Sequence, residues 1–246
     1  MLLALISVLS LSAGDTLRLE VGSAAVDGRV YQPHKARVRV HLDSTSTPVV
    51  AEWTNELTVG DSAGREVMRW VTRGTQTGAG GNRMTWEIFQ TYDRKTLAPL
   101  GYARSSSAGG FMRLTIDGGR VKGTRKVPGD STVQPVDLTV ERMGFIASAS
   151  DLVPLAAGLK EGAVMIAPVW GPEMPQSELR VFTVVGKVPT PVEGKVWDAW
   201  KVEERRHSDG QLLAAWYLVE ESPYMVAGDV FMPDGRVRKM TEVALP

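Results

Sequence analysis

The chain of 246 residues contains no cysteine and only three histidines, and it has no excess of either charge: 28 Lys and Arg stand against 28 Asp and Glu. Without cysteine there is no disulfide framework, no thiol nucleophile, no zinc site built on thiolates and no lipid attached through an N-terminal cysteine. A net charge of zero excludes a general nucleic-acid binder, whose affinity comes from many Lys and Arg contacts to phosphates. No apolar run approaches the roughly 20 residues a helix needs to cross a bilayer. With 43% hydrophobic and 23% charged residues, the composition is nonetheless that of a folded chain, because disorder requires low hydrophobicity with high net charge.

The longest apolar stretch, Leu2 to Leu11, is followed by the small residues Ser12, Ala13 and Gly14. It has the length and the flank of a signal-peptide core with a cleavage site near Gly14. The basic flank is atypical, since no Lys or Arg precedes Arg18. The pattern predicts a signal peptide over residues 1–14, a single domain over 15–246, and a periplasmic or secreted protein with no integral membrane segment.

From Thr16 onward the dominant period is two. Ala36, Val38, Val40 and Leu42 alternate with Arg37, Arg39 and His41, and Met112, Leu114 and Ile116 alternate with Arg113 and Thr115. Alternation of this kind marks strands with one buried and one wet face, and it favours antiparallel pairing. Turn signals at Gly60-Asp61, Asp117-Gly118, Asp209-Gly210 and Asp234-Gly235 separate the runs, as tight hairpins require. The expectation is an all-β chain: a single curved antiparallel meander sheet of roughly a dozen strands, a half-barrel or barrel. Only one segment reads as a helix. Ser150-Asp151 can cap it, Gly158 or Gly162 can stop it, and Leu152, Leu155 and Leu159 share a face. This helix is expected to plug the concave side of the sheet.

Residues able to carry chemistry are scattered. His34, His41 and His207 have no metal-ligand spacing among them, and His207-Ser208-Asp209 cannot be a triad because adjacent residues point in different directions. No Gly-x-Ser-x-Gly leads from a strand into a helical segment, which a nucleophile elbow needs. The glycines from Thr77 to Gly81 lack the Lys-Ser/Thr ending of a phosphate loop. Glu203-Glu204 and Glu220-Glu221 are consecutive on strands, so the members of each pair face opposite sides. No catalytic residue, metal set or cofactor is read from the sequence.

The aromatic residues say more. Trp53, Trp70, Trp86, Trp197, Trp200 and Trp216 fall in strand-like segments, and Leu212 to Val219 and Val181 to Val185 are apolar on both faces. Such residues either pack a plain core or line a cavity inside a curved sheet. In the cavity reading the lining is Trp86, Trp200 and Trp216 with Leu152, Leu155 and Leu159.

Several patterns occur together: Thr91-Tyr92-Asp93 through Thr96-Leu97-Ala98-Pro99-Leu100, Val121-Lys122-Gly123 after Asp117-Gly118, the helix Leu152 to Leu159, Val184-Val185-Gly186 leading to Asp198 through Glu203, and Pro233-Asp234-Gly235-Arg236. Over roughly Trp53 to Val243 the chain resembles a family of uncharacterised exported bacterial proteins, one of the domain-of-unknown-function families. These are similar in layout to the LolA/LolB-type lipoprotein carriers, whose curved antiparallel sheet wraps an apolar cavity plugged by short helices. The resemblance implies a fold and a compartment, and brings no catalytic residues with it. The leading expectation is a non-catalytic protein that binds a lipid or other apolar or amphiphilic molecule inside the sheet. The alternatives are a cell-envelope scaffolding module that acts by contact with an envelope protein, and a hydrolase assembled from distant residues.

Overall fold

The computed structural model describes residues 16–77 and 81–246. The signal-peptide segment and the centre of the glycine-rich stretch lie outside the described residues. The strands are β1 (Thr16–Arg18), β2 (His34–Leu42), β3 (Ala51–Ser62), β4 (Arg65–Thr77), β5 (Arg83–Asp93), β6 (Pro99–Ser106), β7 (Phe111–Asp117), β8 (Arg120–Lys126), β9 (Gln134–Thr139), β10 (Phe145–Ile146), β11 (Val164–Trp170), β12 (Glu178–Val192), β13 (Lys195–Arg206), β14 (Leu212–Leu218), β15 (Met225–Phe231) and β16 (Val237–Ala244); the helix α1 is Leu152–Ala157.

All 16 strands belong to one curved sheet. Strands β2 to β9 form one antiparallel meander and β11 to β16 a second, and β16 pairs antiparallel with β2 to join them. The expected meander is therefore present, with more strands than the sequence suggests. It is also not purely antiparallel: β1 and β10 each pair parallel with β11. Both are stubs of two or three residues, too short to show a period.

The sheet does not close, since β9 and β1 are not hydrogen-bonded to each other. Side chains and loop backbone bridge the gap instead. Gln176 accepts from the Glu141 N–H at 3.0 Å and donates to the Thr139 carbonyl, Ser177 donates to the Arg142 carbonyl, and Arg142 pairs with Glu20.

Hairpin chemistry follows the sequence with one displacement. Strand β3 runs through Gly60 and Asp61, and the turn falls at Ala63 and Gly64, both with positive φ (54° and 78°). The Asp61 carboxylate accepts from the Gly64 N–H, so Asp61 supports the turn from its flank rather than forming it.

The inward residues of the curved sheet make the main core: Leu57, Met68, Tyr92, Met112, Ile116, Val121, Met165, Phe182, Val202 and Leu218 are all buried there. Helix α1 fills one end. Leu152, Val153, Leu155 and Ala156 are buried, Leu159 packs against the same core, and the helix stops at Gly158 (φ 90°). It is fastened to the chain near the N-terminus: Tyr31 Oη donates to the Leu152 carbonyl at 2.6 Å, and the Asp27 N–H to the Ala156 carbonyl at 2.8 Å. The cap expected of Ser150-Asp151 is not made, because Asp151 offers no side-chain bond to the helix and Ser150 is turned elsewhere.

A second, smaller cluster lies on the outer face. Val192, Ala199, Val219 and Val226 are buried together, with Trp197, Tyr217 and Val243 against them. The long β12–β13 hairpin folds over β15 and β16 to make it, and Glu193 at the hairpin tip pairs with Arg37 and Arg39 of β2. Hence β14 is covered on both sides, as its two-faced apolar run implies. Strand β12 is covered on one: Phe182 and Val184 are fully buried, while Val185 is 44% exposed beside the register shift before Gly186.

Candidate binding chamber

The open end of the sheet carries two adjoining cavities whose linings share Trp86 and Ile88 of β5. One, of about 390 Å³, lies between β3, β4 and β5 on one side and β13 to β16 on the other. Its walls are Trp53, Trp70, Trp86, Trp216, Met225 and Met240, and its floor is the segment Ala147 to Asp151 that leads into α1. The second, of about 510 Å³, lies over β5 to β8 and is walled by Met84, Phe111, Met112, Val127 and Pro128.

Glycine makes room for the aromatic walls. A Cβ on Gly74 of β4 would lie 2.6 Å from the Trp86 ring and 2.7 Å from Trp53 Cβ. The two indoles pack across that gap with ring centres 5.7 Å apart. Gly228 does the same for Trp216 and Met240.

Under these walls runs a polar layer that strand alternation also turns inward. Glu204 of β13 accepts from Ser150 Oγ (2.9 Å), Trp216 Nε1 (2.8 Å) and Arg180 Nη1 (3.0 Å). Burial pushes its carboxyl above the usual range, and the three donors pull against that. Glu242 of β16, 2% exposed, accepts from Asn55 Nδ2, whose own carbonyl takes the Thr72 hydroxyl. Its carboxyl is raised well above the usual range by burial. Gln90 links Tyr92 to Ser148 across the floor. Asp151 lies among these groups and lines the smaller cavity. Burial, with the Glu204 charge adding to it, pushes its carboxyl up to about 7.

Of the six residues expected to line a cavity, Trp86 and Trp216 face the chamber. Leu152 and Leu155 are buried in the main core and Leu159 packs against it; the chamber meets the residues just before α1 instead. Trp200 lies elsewhere, in a separate cleft with Trp197, Lys187 and Glu220, where its indole N–H meets Glu220 at 3.3 Å. The polar floor was hidden from the sequence. Glu204 reads as half of a surface pair and Asp151 as a helix cap, and only the folding of one meander onto the other encloses them.

The histidines are dispersed. His34 packs edge-on to Trp70 and Tyr224, His41 meets the Thr47 carbonyl, and His207 lies at the β13–β14 turn. Gly60-Asp61-Ser62-Ala63-Gly64 carries the Gly-x-Ser-x-Gly spacing, yet it turns from strand to strand, and Ser62 is exposed at the hairpin tip. Ser150, the serine with a buried carboxylate partner, donates to that carboxylate, with no imidazole among its described hydrogen bonds. Among the described residues no group of three or more His, Asp or Glu side chains is placed to hold a metal ion. No helix among them is long and apolar enough to cross a membrane.

Among curated proteins no match to the chain is found. Two solved structures are similar in shape. One is a β-barrel-like protein of the domain of unknown function DUF1849 from Brucella abortus, 10% identical over 87% of this chain and 95% of that one, with a TM-score of 0.50. The likeness is one of fold alone. The other, a DUF1089 family protein from Pseudomonas aeruginosa, is 12% identical over 77% and 87% of the two chains, and its TM-score of 0.33 carries no weight. The profile of the family described as "Protein of unknown function (DUF3108)" matches residues 37–241. These residues run from β2 into β16 and take in every strand that walls the chamber, and the chain belongs to that family.

Proposed function

We propose that the chamber binds an apolar or amphiphilic molecule without converting it, in a protein that works in the periplasm or outside the cell. The observation that carries this reading is the pair of adjoining cavities, about 390 and 510 Å³. Each is within the range of small-molecule sites, which are mostly apolar with a few convergent polar groups. A scaffold acting by protein contact would be served as well by a filled interior, and the Trp, Met and Phe walls around open space favour the ligand. The exported location rests on the apolar stretch Leu2 to Leu11 and the small residues after it.

The test is to purify the mature chain without detergent, extract it, and analyse the extract by mass spectrometry. In parallel the stripped protein is titrated with a fluorescent apolar probe. A stoichiometric amphiphile, or saturable probe binding lost on filling the cavity with Val230→Trp, is the expected result. No co-purifying molecule together with no probe binding would overturn the reading.

A further inference from the structure

We propose that the ligand is a single-chain amphiphile with an anionic head, held with its head at β8 and its chain running over Trp86 and Ile88 toward the four-tryptophan cavity. This rests on the ligand-binding reading above and adds the charge and the direction.

The larger cavity is where the charges are uneven. Its lining holds three bases, Arg104, Arg125 and Lys126, and two acids, Glu87 and Glu173. Both acids are already engaged. Glu87 accepts from Arg73 on the neighbouring strand at 2.5 Å, and Glu173 pairs with Arg104. Arg125 bonds only through Nε, to Gln134 at 3.1 Å, which leaves its two terminal amino groups without a partner among the described residues. Lys126, the next residue of β8, pairs with Phe111 and alternation turns it to the opposite face of the sheet from Arg125. Arg125 therefore stands uncompensated at the rim of an apolar cavity. That arrangement suits a carboxylate or phosphate head, because Arg donates to either in bidentate fashion.

Strand register gives the direction. On β8, Arg125 pairs with Met112 of β7, whose side chain is buried in the sheet interior, so Arg125 projects on the ligand side at the open end. Beyond it the walls become apolar, through Phe111, Met84 and Ile88 to Trp86. Past Trp86 lie Trp53, Trp70 and Trp216. At the far floor stands Asp151, with Glu204 close enough to raise its carboxyl further. A second anion would be unwelcome beside that pair; Arg180 there is already taken by Glu204, and Arg238 lies at the β16 wall. The Trp and Met walls between them suit a methyl terminus.

Binding of dodecanoate, dodecanol and dodecyltrimethylammonium is measured by quenching of tryptophan fluorescence in the stripped full chain. For the native protein dodecanoate should bind about tenfold more tightly than dodecanol, the scale of a few partly exposed charge contacts, and added salt should shrink that advantage. In the variant Arg125→Glu the preference should pass to dodecyltrimethylammonium, while dodecanol binds as before. Should that variant fail to fold, Arg125→Gln must still reduce the advantage of dodecanoate. Equal binding of dodecanoate and dodecanol, or an advantage that survives the charge reversal, overturns the anionic head and leaves the apolar chamber standing. Binding by none of the three removes both.

Discussion

Replacing Asp151 by Asn should stabilise the protein, and the gain should grow with pH. In the folded chain this carboxyl is pushed from its ordinary 3.8 up to about 7 by burial beside Glu204. In the unfolded chain it loses its proton near 3.8. Between those values the folded state holds a proton that the unfolded state has released, so stability falls as pH rises through the window and levels off above about 7. The gap between the folded and unfolded pKa corresponds to about 4 kcal/mol at most, and partial exposure to the chamber lowers that to about 2–4 kcal/mol. Asn keeps the shape and carries no charge. The variant should match the native protein below about pH 4 and exceed it by the full amount at about pH 8.

Urea denaturation of both proteins at about pH 5 and about pH 8 measures this, since the difference between them cancels the titrating groups that Asp151 does not touch and leaves Asp151 with its coupling to Glu204 and Glu242. The cancellation is needed. Glu204 and Glu242 are raised by burial and act in the same sense as Asp151. His34 acts in the opposite sense: burial lowers its pKa, so its unfolded form takes up a proton more readily, and stability is lost as pH falls below the usual histidine range. A gap between the two proteins that stays the same at both pH values would refute the argument, because it would mean that Asp151 titrates as an exposed aspartate.

Leu155→Asp should cost more than about 3 kcal/mol or prevent folding, because α1 is fastened in place and an unpaired charge would be buried in the main core; denaturant unfolding with native-like stability would show α1 to be a loose cover instead. Gly74→Val should lose about 1–3 kcal/mol, since its Cβ would lie 2.6 Å from the Trp86 ring, and thermal melting with no loss would mean that the Trp53–Trp86 contact gives way freely. Glu204→Ala should lose about 3–5 kcal/mol by leaving Ser150 and the Trp216 N–H without their acceptor and Arg180 with Glu178 alone, and Glu204→Gln, which keeps an acceptor, should lose less in the same urea titration.

The strands were legible because each carries its own signal. Alternation in β2 and β7 needs nothing but the two faces of one strand, and the two-faced run in β14 correctly announces cover on both sides. What reads poorly depends on partners far away in the chain. The parallel stubs β1 and β10 exist only because β11 offers them an edge. Asp61 has the composition of a turn residue and is the flank of one, since Ala63 and Gly64 take the positive φ. Trp86 and Trp200 occupy similar local sequences, roughly 115 residues apart, and end in different surroundings. Trp200, opposite Lys187 just past the register shift at Gly186, packs against the main core and lines a separate cleft. Trp86 lies opposite Gly74, and the missing Cβ admits it to the chamber.

The polar floor is the extreme case of the same dependence. Alternation places Glu204 on the inward face of β13, and an inward glutamate in a half-buried strand looks like a local conflict with the fold. The conflict is resolved by Ser150, Trp216 and Arg180, from three other elements. Asp151, immediately before the buried face of α1, is left with no such set of donors and carries a raised pKa instead. The chain keeps Asp151 and Glu204 at one end of an open chamber, with Glu242 buried nearby, and the uncompensated Arg125 at the other. Natural sequences depart from local consistency where function requires it, so this asymmetry across the chamber, rather than the size of the cavity alone, is the physical reason to regard it as a site.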